Sequence, residues 1–130
     1  MIRPVRLWLY IFALNGAAAV LFGAFAAHAL SDRLDAHALS LFDTGARYHL
    51  IHAVAGFLAG LLMRGGAGAA ARLSAAAFLA GILLFSGSLY LLALTGVHVF
   101  AWITPLGGLG LVAGWVMLAL AAFRLETPPL

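Results

Sequence analysis

The sequence predicts an all-α polytopic membrane protein, a bundle of four transmembrane helices, and three observations carry that prediction. The composition is 65% hydrophobic and 8% charged, far more apolar than a soluble chain of this length can bury. Four apolar segments, at about residues 7–27, 44–63, 73–94 and 104–123, each approach the roughly 20 residues that a helix needs to cross about 30 Å of hydrocarbon. The positive charge is all arginine, placed beside the ends of these segments, where charge reports topology.

The same numbers exclude several functions. With no cysteine, thiolate nucleophiles, Fe–S clusters, Cys-bound zinc and disulfide relays are ruled out. A net charge of +3 confined to segment ends predicts no nucleic-acid partner. The 130 residues make one membrane domain, with the lipid bilayer as its surroundings.

Helix 1, about 7–27, follows a short basic leader from Met1 to Arg6 and contains one polar amide, Asn15. Ala27-His28-Ala29 imitates a signal-peptide cleavage site, but the apolar run before it is too long, so the segment is read as a retained helix. Asn15, Ala19, Phe22 and Ala26 share one side, where small residues admit a neighbouring backbone and Asn15 can bond across the contact. Ser31 to Asp43 interrupts the apolar run. Its leucines recur at helical spacing, so it predicts a short amphipathic helix in the headgroup region, with Ser31 as N-cap.

Helix 2, about 44–63, holds the polar residues that most need an explanation. Asp43 and Arg47 are four apart and predict a structural ion pair at the helix start. Gly45, Tyr48, His49, His52, Gly56, Ala59 and Gly60 fall along one face, opposite Leu50, Ile51, Val54, Phe57, Leu58 and Leu61. The histidines therefore point inward, above a Gly56-x-x-x-Gly60 helix contact. Met63 to Leu73 reads as a basic loop.

In helix 3, about 73–94, Ser74, Gly81, Ser88 and Thr95 recur every seven residues as a packing seam, while Ser86 and Tyr90 mark another face. Gly96 stops this helix, and Thr104-Pro105 reads as N-cap and first residue of helix 4, about 104–123. Gly107, Gly110, Gly114 and Ala121 form its small-residue stripe. The tail ending Thr127-Pro128-Pro129-Leu130 is too short and proline-rich to fold. Counting arginines puts Arg3, Arg6, Arg64, Arg72 and Arg124 on one side, which by the positive-inside rule places both termini in the cytoplasm. His28, His37, His49, His52 and His98 then all lie in the outer half.

Several motifs stand in one order along the chain: Gly23-Ala24-Phe25-Ala26-Ala27-His28-Ala29-Leu30, Tyr48-His49-x-x-His52-Ala53, Phe85-Ser86-Gly87-Ser88-Leu89-Tyr90, Ile103-Thr104-Pro105-Leu106-Gly107-Gly108 and Ala113-Gly114-Trp115. Together they resemble the YgdD-like family of small membrane proteins, related to transmembrane protein 256. The resemblance covers all four helices. One departure is Ala26, where the family's first motif carries a second glycine, which loosens or shifts the closest packing of helix 1. Members are inner-membrane proteins of unknown function, so the resemblance implies a fold and no mechanism.

Function must then be argued from the histidines. Ionisable groups inside a membrane are costly and mark functional sites by default. The first reading is an outward-facing polar pocket of Tyr48, His49, His52, His28 and Tyr90, with His98 nearby. It would bind a metal ion, a proton or a small polar ligand, with His49 and His52 as candidate metal ligands. The second is an accessory or assembly subunit, alone as a homo-oligomer or within a larger membrane complex, whose polar residues only satisfy one another. Asn15, Gly56, Gly60, Gly81, Ser88, Gly110 and Gly114 are its candidate packing residues. A bis-histidine haem is a third reading, disfavoured by the small-residue stripes that let helices close up. No nucleophile with its base, paired carboxylates or phosphate loop suggests an enzyme, and no cofactor can be named.

Overall fold

The computed structural model describes residues 4–65 and 67–125. Met1 to Arg3 of the basic leader and the tail from Thr127 to Leu130 lie outside the described residues. Four helices follow one another: α1 (Pro4–Leu30), α2 (Ala36–Leu62), α3 (Gly68–Thr95) and α4 (Val99–Phe123). Each packs antiparallel on the next, α1 on α2, α2 on α3 and α3 on α4.

Three helices, α1, α3 and α4, are long and apolar enough to cross a membrane. Helix α2 is equally long, but Arg47, His49 and His52 lower its hydropathy. Its inward face compensates: His49, His52, Gly56, Ala59 and Gly60 are buried, while Leu50, Ile51, Val54, Leu58 and Leu61 are exposed. The 3.6-residue period of the sequence thus becomes two unlike faces.

Glycines set how closely the helices approach. The Phe12 ring of α1 lies where a Cβ on Gly56 would stand, and Leu9 lies over Gly60. Across α3 and α4, Leu111 covers Gly81, Phe78 covers Gly114, and the Leu84–Phe85 backbone occupies the space beside Gly107. A Cβ on Gly110 would stand 3.3 Å from the Gly81 Cα, so these two backbones nearly touch, as small-residue stripes permit. Hydroxyls tie the same seam. Ser74 donates to the Gly114 carbonyl at 2.8 Å, and the Ser88 and Thr104 hydroxyls lie 2.6 Å apart. The core centres on Phe12, Ala55, Ala59, Ala75, Phe78, Ile82 and Leu111.

Several boundaries differ from those the sequence suggests, each for a physical reason. The segment expected to form its own amphipathic helix instead gives a turn and the first two turns of α2. Ser31 still has helical backbone angles and continues α1, whereas Asp35 leaves the helical region at ψ 168° and accepts from the Ala38 N–H at 2.7 Å. Asp35 is therefore the N-cap. The basic loop is shorter than expected, because α3 already begins at Gly68. Pro105 lies within α4 rather than at its start. Its ring offers no N–H to the Ala101 carbonyl one turn back, while the adjacent Thr104 hydroxyl donates to the Phe100 carbonyl at 3.1 Å. Gly96 does end α3, in the left-handed region at φ 68°, with its N–H on the Leu92 carbonyl. Two helices carry a π-helical turn, Ala26–Leu30 at the end of α1 and Ile82–Ser86 within α3.

Candidate functional site

The inward face of α2 brings His49 and His52 into the bundle one turn apart, each only 5% exposed. Each meets partners from other helices. His49 lies between α1 and α3: its Nε2 is 3.1 Å from Asn15 Oδ1, and its Nδ1 is 3.0 Å from the Tyr90 hydroxyl. Asn15 donates its own amide N–H to the Ile11 carbonyl at 2.9 Å, which leaves Oδ1 as the acceptor facing the imidazole. His49 therefore donates from Nε2 to Asn15 and accepts at Nδ1 from the Tyr90 hydroxyl. Phe22 and Phe42 pack on the Tyr90 ring, at centroid distances of 4.9 and 4.7 Å.

His52 has the opposite tautomer. An indole N–H can only donate, and Trp115 Nε1 of α4 donates to His52 Nε2 at 3.1 Å. Nδ1 consequently carries the proton and donates to the Tyr48 carbonyl one turn back, at 2.6 Å. The His52 ring also lies 5.7 Å from the Phe78 ring and stacks on Tyr48 at the same distance. Both contacts of His52 are met together only by the neutral imidazole.

This geometry limits the chemistry. A metal ion or haem iron takes the lone pair of an imidazole nitrogen, and the only such lone pairs on His49 and His52 already accept from Tyr90 and Trp115. Ligation requires displacing one of them. Among the described residues, no group of three or more His, Cys, Asp or Glu side chains could hold a metal. One polar atom at this level lacks a partner. Ser86 Oγ, one turn before Tyr90 on α3, is buried without a hydrogen bond among the described residues.

The residues singled out from the sequence separate into distinct places. His49 and Tyr90 are bonded together and His52 follows one turn on, whereas Tyr48 is 40% exposed and packs on Phe85 at the bundle edge. His28, His37 and His98 are exposed at the same end and outside this network. Asp43 and Arg47 form an ion pair at 3.0 Å, both side chains more than half exposed. Ala26 is buried beside Leu30, Phe42 and Ala93. Trp115 is the partner that the sequence reading missed. The available signal was its depth, a tryptophan far from either end of α4 and directly after the Gly114 contact.

Four packed helices, three of them long and apolar enough to cross a membrane, enclosing a small polar layer define a multi-pass integral membrane protein. Residues 22–108 match the family described as Protein of unknown function (DUF423), and the chain belongs to that family. A UPF0382 membrane protein of Haemophilus influenzae is 48% identical over 117 residues, covering 90% of this chain and 94% of that protein. The UPF0382 membrane protein YwdK of Bacillus subtilis is 36% identical, covering 92% of this chain and 98% of its own length. The UPF0382 inner membrane protein YgdD of Escherichia coli K12 is likewise 36% identical, over 93% of this chain and 92% of its own. No solved structure matches.

Proposed function

We propose that this protein is a non-catalytic structural subunit of the cytoplasmic membrane. It acts by lateral association, in a larger membrane complex or as a homo-oligomer, with both termini in the cytoplasm. One observation carries the reading: every nitrogen of His49 and His52 is bonded to a group of the chain itself. Buried polar groups that satisfy one another fix helix register and leave nothing over for a ligand. Each imidazole joins α2 to another helix, His49 to α1 and α3, His52 to α4. The two histidines thus lock all four helices into one arrangement. The orientation is supported by Arg6, Arg64, Arg72 and Arg124 at one end of the bundle, and the membrane by the Escherichia coli relative, an inner membrane protein.

The rival reading, a metal ion, proton or small polar ligand held between the helices, has in its favour the Ser86 hydroxyl, unpartnered among the described residues. Metal analysis and visible absorption of the protein in mild detergent, beside a His49→Leu/His52→Leu variant, separate the structural reading from a metal or haem site. The structural reading expects no stoichiometric zinc, copper or haem, and a cross-linked species larger than the monomer in native membranes. Stoichiometric metal or haem lost in the variant would overturn it, as would a protein that stays monomeric under cross-linking.

A further inference from the structure

At the arginine-rich end, α1 and α2 do not close completely on each other. Arg6 and Arg64, from the start of α1 and just beyond α2, line an open groove of about 550 Å³ with Val5 and Leu9. A second groove of about 280 Å³ continues from Arg6 and Leu9 to Tyr10, Ala13 and Phe57. From Ala13 and Phe57 a third, of about 250 Å³, runs on to Gly16, Ala53 and Val54. Above Gly16 the space is open, since a Cβ there would meet nothing within 4 Å. These are successive stretches of one track, which carries two cations at its mouth and apolar walls beyond.

We propose that this track binds one anionic phospholipid, with the phosphate between Arg6 and Arg64 and an acyl chain along the groove between α1 and α2. Length agrees. Ten residues from Arg6 to Gly16 rise about 15 Å at roughly 1.5 Å each, half of the roughly 30 Å hydrocarbon core and therefore one leaflet. Charge agrees as well, because the described residues at this end include Arg6, Arg64, Arg72 and Arg124 and no acid. Basic pockets between membrane helices recognise phosphate headgroups in this manner, and guanidinium forks suit phosphate oxygens. Grooves at the opposite end lack this character: one presents Asp43 and another sets Arg33 beside Asp35.

Native mass spectrometry from a non-ionic detergent tests the proposal, using dioleoylphosphatidylglycerol and dioleoylphosphatidylcholine as probes. The expected result is retention of the glycerol lipid on the order of tenfold above the choline lipid. Arg6→Gln/Arg64→Gln should abolish that preference, and Arg72→Gln/Arg124→Gln should keep it. Ala13→Leu, which fills the track, should weaken the dioleoyl lipid and spare dihexanoylphosphatidylglycerol. Circular dichroism melting of each variant checks that it is folded. Equal retention of the two headgroups overturns the proposal. So does an equal effect of the two double replacements, which would signal general surface charge, or glycerol 3-phosphate binding as tightly as the whole lipid.

Discussion

Replacing Tyr90 by phenylalanine deletes a single oxygen and should destabilise the folded protein by about 1 kcal/mol. The ring would stay where it is, against Phe22 and Phe42 and over Gly45, so apolar contact is conserved. What disappears is the donor to His49 Nδ1 at 3.0 Å. His49 is 5% exposed, and its acceptor nitrogen cannot turn to water. In a soluble core, an acceptor stranded in this way costs about 1–3 kcal/mol. Between membrane helices, hydrogen bonds measured by double-mutant cycles average about 0.6 kcal/mol and reach about 1.7, so the expected loss sits where the two ranges meet. Unfolding by sodium dodecyl sulfate in mixed micelles, followed by circular dichroism, supplies the free energy. Repeating the substitution in a His49→Leu background isolates the bond, with an expected coupling of about 0.6–1.7 kcal/mol. A loss below about 0.3 kcal/mol together with full additivity would refute the bridging role of His49.

Three further expectations rest on other parts of the structure. Nitrogen-15 spectra of histidine-labelled protein in micelles near neutral pH should show two buried imidazoles in opposite neutral tautomers, Nε2–H for His49 and Nδ1–H for His52. Trp115→Phe should abolish the fixed tautomer of His52 alone, and two identical tautomers in the parent protein would contradict the assignment. Gly107→Ala, which forces a methyl against the Leu84–Phe85 backbone, should cost about 1–3 kcal/mol or more. Gly23→Ala meets nothing within 4 Å and should be neutral or stabilising by up to about 1 kcal/mol; equal effects at the two glycines, read by the same unfolding assay, would count against the packing described. Asp43→Asn should change stability by less than about 1 kcal/mol, because both partners of that ion pair are well exposed. A larger loss would mean that the pair is shielded by lipid or by another protein.

The inward faces of the helices were legible in the sequence because helical periodicity is a local property. Leu50, Ile51, Val54 and Leu58 could be separated from His49, His52, Gly56 and Gly60 without knowing what any of them touches. Pairings between helices were not legible in the same way. Asn15 could be placed on a contact face, but its match with His49 depends on the relative height of α1 and α2, which no spacing within either helix encodes. Trp115 was hidden for a related reason: tryptophan in a membrane helix reads first as an interfacial anchor, and only the approach of α4 to α2 turns its N–H toward His52. Caps were misjudged where two residues could both serve. Ser31 and Asp35 are both N-cap residue types ahead of α2, and the choice fell to Asp35 because α1 continues past Ser31. Pro105 misled in the opposite direction, since a proline that usually opens a helix here sits a turn and a half beyond its start.

The π turn at Ile82–Ser86 amounts to an insertion of one residue into an otherwise regular helix. Each residue advances an α-helix by about 100°, and the wider π turn takes up that advance, so the helix beyond it keeps nearly the phase it would have without the extra residue. Deleting Leu83 would heal the turn into ordinary α-helix and make the segment locally more regular. Because the healed helix keeps nearly the same phase, Tyr90 would stay on the side of His49 and Ser88 on the side of Thr104, and the contacts that α3 makes with its neighbours on both sides would survive. A one-residue deletion is thus expected to be best tolerated within this turn, whereas in a regular stretch of helix, with nothing to absorb it, the same deletion would rotate everything downstream by about 100°.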